Sequence, residues 1–107
     1  MKTAKRKRLV ANGWAVGTAR DFLGLSDEEA AFVELKLALA EGLKQRRLKE
    51  GLTQSQLALK LESSQSRVAK MEAGDRSVSL DLLVRSLLAV GSTPRDLARL
   101  ITRSRAA

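Results

Sequence analysis

The sequence predicts an all-α fold: five helices in one small domain behind an extended basic arm. Three observations carry that reading. Apolar residues recur at three- and four-residue intervals, no stretch alternates as a half-buried strand would, and a capping residue (Ser26, Thr53, Ser64, Ser79 or Thr93) stands before each run. A length of 107 residues, 44% hydrophobic and 30% charged, suits one globular domain with a tail and leaves no room for a second, enzyme-sized one.

The segment 1–25 holds few periodic apolar residues and carries Gly13, Gly17 and Gly24, so a basic arm followed by a loosely ordered stretch is expected, with the helical domain spanning 26–107. The first helix should open at Ser26-Asp27-Glu28-Glu29, where the serine hydroxyl can accept a free backbone N–H, Glu29 can reach back, and three acids face the positive helix end. Phe32, Leu35, Leu39 and Leu43 form its inward stripe, and Gly51 stops it after Lys49 or Glu50. Gly42 falls inside this run and should weaken or bend it by about 1 kcal/mol relative to alanine. Thr53 with Gln56 opens a second helix, Gln54 to Leu61, with Leu52 placed to pack on Leu57. After a turn at Glu62 and Ser63, Ser64 caps a short helix from Gln65 to Glu72 that Gly74 closes. Ser79 caps a fourth helix with Leu80, Leu83, Val84 and Leu87 inward, ending at Gly91. Thr93 caps a fifth, with Pro94 in its first turn and Leu97, Leu100 and Ile101 inward.

The second and third helices share a particular spacing. Gln54 and Gln65 each open a helix, the small Ala58 lets the two rods cross closely, and Val68 and Met71 stand three apart on one face of the second rod. This is the skeleton of a helix-turn-helix at 54–72, with helix N-termini free to face anions. The third helix also carries charges opposed to its dipole, Arg67 in its first turn and Glu72 near its last. Arg67 makes sense if a phosphate approaches that end, and Glu72 if a cation on the first helix meets it; the plainer reading of Arg67 is a solvated surface residue.

Charge and composition narrow the function classes. Lys and Arg number 20 against 12 Asp and Glu, a net +8. Five of the cations (Lys2, Lys5, Arg6, Lys7, Arg8) sit in the arm, leaving 15 against 12, or +3, for the rest. That balance favours a polyanionic partner, although a charged solvated surface explains it too. With no cysteine and no histidine, disulfides, thiolate metal sites and the commonest general base are all excluded. No converging pair of carboxylates stands out, so neither a catalytic residue nor a cofactor is expected, and the chain reads as a non-enzyme. The absence of a signal-like or membrane-spanning run predicts a cytoplasmic protein with no membrane association.

On these residues, Leu43 to Leu97 resembles the five-helix, lambda-repressor-like domain of the Cro/C1 (Xre-type) helix-turn-helix regulators. Arg47, Gln54, Ala58, Gln65, Val68, Met71, Glu72 and Gly74 match, and Val78-Ser79-Leu80 supplies the apolar step after the third helix. The resemblance implies a double-stranded DNA operator as partner and a homodimer as the working form. It further implies base contacts from Gln65, Ser66 and Lys70, phosphate contacts from Gln54, Ser64, Arg67 and Arg76, bracing of Gln65 by Gln54, and a structural ion pair between Arg47 and Glu72. The sequence departs from the family at the turn, where Glu62 replaces the usual glycine and Ser63 an apolar residue. Either the turn is built differently here or the domain gives up stability to form it.

The flank from Gly13 to Arg47 resembles the lead-in of HigA-type antitoxins, which pair with RelE-like (HigB-type) ribonuclease toxins and repress their own operon. Trp14, Val16, Phe22 and Leu23 would then offer a toxin contact by anchoring an aromatic in a pocket. More simply, they fold back and fill the exposed stripe of the first helix. Three readings therefore stand open: an autoregulating antitoxin, a stand-alone Xre-type regulator of phage origin, or an RNA-binding or scaffolding module using the basic arm.

Overall fold

The computed structural model describes residue 24 and residues 26–103, and within them five α-helices and no strand. They are α1 (Asp27–Lys49), α2 (Gln54–Lys60), α3 (Gln65–Ala73), α4 (Leu80–Ala89) and α5 (Pro94–Arg103).

Local hydrogen bonding sets each start. Glu29 N–H donates to Ser26 Oγ at 3.1 Å while Ser26 N–H donates to the Glu29 carboxylate at 2.9 Å, so two otherwise orphaned donors are satisfied reciprocally. Thr53 with Gln56 and Thr93 with Asp96 repeat the device at α2 and α5. Ser64 and Ser79 accept from the N–H groups of Arg67 and Leu82. Gly74 ends α3 in the left-handed conformation at φ 68°, its N–H and that of Asp75 returning to Met71 and Lys70 carbonyls. Three ends differ from expectation: α2 stops at Lys60, α3 runs on to Ala73, and α4 stops at Ala89, before Gly91.

The core lies where α1, α3 and α4 meet, with α2 and α5 closing its sides. Leu39, Leu43, Leu57, Val68, Met71, Leu83 and Leu87 are all but inaccessible to water, each worth about 1.5–3 kcal/mol of apolar burial. Ala58, 4% exposed, lets α2 cross against α3. Ser86 satisfies its buried hydroxyl on Met71 Sδ at 3.4 Å. From α5, Leu97 and Leu100 pack against this core as half-buried residues.

Three expectations change. Phe32 does not reach the core: it is 48% exposed near the outer end of the 23-residue α1, whose core-cluster residues begin at Leu39. Ile101 is likewise exposed on the last turn described. Gly42 is a contact point, since a β-carbon there would fall 2.8 Å from Leu100 Cδ2 and closer still to Cδ1. Its bare backbone is the seat on which α5 rests.

Candidate nucleic-acid interface

The turn between α2 and α3 places α3, and its backbone passes through the left-handed region without a glycine. Glu62 adopts φ 54°, the left-handed conformation in which a β-carbon is strained by roughly 1–2 kcal/mol. Ser63 N–H donates to the Ala58 carbonyl at 2.8 Å, closing α2. Of the two alternatives open at the sequence level, the domain bears the strain. Ser63 adds a second local cost, because its Oγ is buried without a hydrogen-bond partner among the described residues.

Behind the turn, α1, α2 and α3 are joined by one polar chain. Arg47 Nε donates to Glu72 Oε2 at 2.6 Å and Nη2 to Oε1 at 3.0 Å, while Nη1 donates to the Leu52 carbonyl at 2.9 Å. The side chains of Arg47 and Glu72 are 11% and 4% exposed. The hydrogen bonds that it donates to Glu72 hold the Arg47 guanidinium above its ordinary pKa, against a desolvation that acts the other way. Gln54 Nε2 donates to Glu72 Oε1 at 3.1 Å, and Gln65 Nε2 donates to Gln54 Oε1 at 2.7 Å.

The direction of this relay follows from its inner end. An ionised carboxylate can only accept, so Gln54 must turn its NH2 toward Glu72 and its oxygen toward Gln65. Gln65 in turn must give one N–H to Gln54. One further N–H and the carbonyl oxygen remain for whatever lies beyond the exposed N-terminus of α3. The buried ion pair thus fixes both the position and the polarity of the outermost amide.

The remaining predicted residues fall into two sets. Ser64, Ser66, Arg67 and Lys70 line one shallow groove with Ser77, Val78 and Leu82, between α3, the α3–α4 connection and the first turn of α4. Gln65, Ser66, Arg67 and Lys70 are exposed, while Val68 and Met71 anchor the opposite face of the helix. Arg67 forms no ion pair among the described residues, so its guanidinium is available to an anion. Arg76 is exposed in the α3–α4 connection and does not line the groove. Ser77, which sequence reasoning passed over, does line it. The signal was Asp75-x-Ser77, a turn in which Asp75 Oδ1 accepts from the Ser77 N–H at 2.8 Å and hydroxyl at 2.7 Å. Those bonds hold the Asp75 carboxyl below its ordinary range.

Trp14, Val16, Phe22 and Leu23 lie outside the described residues, as does the basic arm. Among the described residues, no helix is long and apolar enough to cross a membrane, and no group of three or more His, Cys, Asp or Glu side chains is placed to hold a metal ion.

Two crossed helices with an outward polar row on the second are the geometry that inserts into a major groove. The sequence profile of the helix-turn-helix family matches residues 43–97, 55 of the 107 in the chain. The chain belongs to that family in its Cro/C1 branch and is a DNA-binding transcriptional regulator of the Xre type. No curated protein and no solved structure matches it.

Proposed function

We propose that this regulator is a sequence-specific repressor, reading its operator through Gln65, Ser66 and Lys70 while Gln54, Ser64, Arg67 and Arg76 hold phosphates. The observation that carries the reading is the relay from Glu72 through Gln54 to Gln65. It leaves Gln65 with one donor and one acceptor side by side, the pair that the N7 and N6 edge of adenine requires, and Lys70 one turn on suits guanine. Phosphate contacts set register and carry no base information. One head of this size binds weakly, so the working form is a homodimer on half-sites about 34 Å apart. Selection from randomised duplexes should recover a two-fold symmetric site with that spacing; recovery of no recurrent half-site would overturn the reading.

Within that class, the repressor is the antitoxin of a HigB/RelE-type pair that autoregulates its operon. Support comes from the Gly13–Arg47 flank, whose Trp14, Val16, Phe22 and Leu23 give a toxin an apolar anchor. Co-expression with the neighbouring reading frame, followed by pull-down, tests this. Retention of a small basic partner supports it, and a chain that represses without one is the stand-alone Xre-type regulator. The role is that of a binding protein and not an enzyme, acting in the cytoplasm without a cofactor, in keeping with a sequence that has neither histidine nor cysteine.

A further inference from the structure

A glutamine amide is nearly symmetric in shape and opposite in chemistry at its two ends, an acceptor oxygen and a donor NH2, so space alone does not decide which end faces a neighbour. Gln54 opens α2 and Gln65 opens α3, and among the described residues their side chains hydrogen-bond only along the relay. Whatever orients the Gln54 amide therefore orients that of Gln65.

That role falls to Glu72. Arg47, whose side chain has only donors, occupies both carboxylate oxygens, Nε on Oε2 and Nη2 on Oε1, and Gln54 Nε2 shares Oε1. Neither oxygen can be exchanged for a donor, so the Gln54 amide has one allowed orientation and Gln65 must give one N–H to it. What remains on Gln65 discriminates between purines. Adenine offers N7 as acceptor and N6 as donor, and Gln65 meets both with its free N–H and its oxygen. Guanine offers two acceptors, N7 and O6, for which Gln65 has a single N–H left, while its oxygen faces O6. With Gln54 reversed, Gln65 would accept on its oxygen and keep both N–H groups. It could then serve guanine, and its second lone pair would still serve adenine.

We propose that Glu72, whose side chain is 4% exposed and stands two hydrogen bonds behind Gln65, determines specificity as a positioning residue: through Gln54 its carboxylate excludes guanine at the base under Gln65. This rests on the base contact proposed for Gln65 and adds what sets its choice.

The readout is the affinity ratio, at one salt concentration, between duplexes that differ only by adenine or guanine at the position whose preference Gln65→Ala abolishes. Gln54→Lys leaves the Arg47–Glu72 pair intact and puts a donor-only ammonium in the middle of the relay. The wild-type preference for adenine, about tenfold for one hydrogen bond of a bidentate pair, should fall to near parity. Glu72→Gln should lower it too, since an amide at position 72 can turn its NH2 toward Gln54. The double variant Glu72→Gln, Gln54→Glu returns an acceptor-only group to face Gln65 and should restore the adenine preference, even as the carboxylate at position 54 weakens binding to all DNA. A purely structural role for Glu72 lowers affinity for both duplexes together and leaves the ratio unmoved. A ratio unchanged in Gln54→Lys and Glu72→Gln, or unrestored in the double variant, overturns the proposal while the base contact stands. If Gln65→Ala alters preference at no position, both fall.

Discussion

Replacing Glu72 with alanine removes the centre of the polar chain that joins α1, α2 and α3, and the structure fixes how much should be lost. The Glu72 side chain is 4% exposed and that of Arg47 11%, so solvent screens little of the interaction. After the change Arg47 keeps only the Leu52 carbonyl. Removing one member of a buried pair costs about 3–5 kcal/mol, because the other charge is left desolvated, and the residual exposure of Arg47 places this case near 3 kcal/mol. For a domain of this size that corresponds to a fall in Tm of about 15 °C. Urea unfolding measures it directly, with an unchanged slope showing that the unfolded state is not the cause. The double variant Arg47→Met, Glu72→Leu removes both charges and refills the space, and should recover most of the loss. A Glu72→Ala protein within about 0.5 kcal/mol of wild type, or a double variant no better than the single, would refute the assignment of Arg47–Glu72 as a buried structural pair.

The turn can be repaired. Glu62→Gly relieves a left-handed strain of about 1–2 kcal/mol against a glycine entropy cost of about 0.5–1, a net gain near 0.5–1 kcal/mol in denaturant melts. Ser63→Ala removes the unpartnered buried hydroxyl and should add about 1 kcal/mol. Gly42→Ala should lose about 1–2 kcal/mol by driving Leu100 off its seat, although alanine is the better helix former, and Leu100→Ala in the same chain should relieve the clash. Acid should weaken the fold in one direction. The carboxyls of Asp75 (Ser77 hydroxyl), Asp96 (Thr93 N–H) and Glu50 (Arg46 guanidinium) are held below their ordinary range. The unfolded chain therefore binds more protons in acid. Their contribution is whole above the ordinary carboxylate range and is lost as pH falls through the lowered values, so Tm should hold to about pH 5 and drop below about pH 4.

Much of the fold was legible because caps are local. Ser26 with Glu29, Thr53 with Gln56 and the serines at 64 and 79 each answer a demand made by backbone groups within one turn, so residue type and spacing suffice. What was not legible depends on where other elements pass. Periodicity showed which face of α1 is apolar and could not show that the core ends before Phe32. Gly42 looks like a weak point until α5 brings Leu100 across it. At Glu62 local preference argued against the left-handed conformation, and the packing of α2 on α3 overrode it. Arg47 and Glu72 stand 25 positions apart; the charge of Glu72 against its own helix dipole called for a cation on the first helix, and the family resemblance named Arg47 as that cation. In the interface, the outward row of α3 followed from Val68 and Met71 facing inward. Ser77 was missed because its place in the groove depends on the Asp75 turn.

The claim that matters most is that α3 reads bases through Gln65, held by Gln54. Affinities of wild type and Gln65→Ala should be measured at one salt concentration on the selected operator and on random duplex. The expected result is a loss of about 1–3 kcal/mol on the operator and almost none on random DNA. An equal loss on both would contradict it and reduce Gln65 to a general backbone contact.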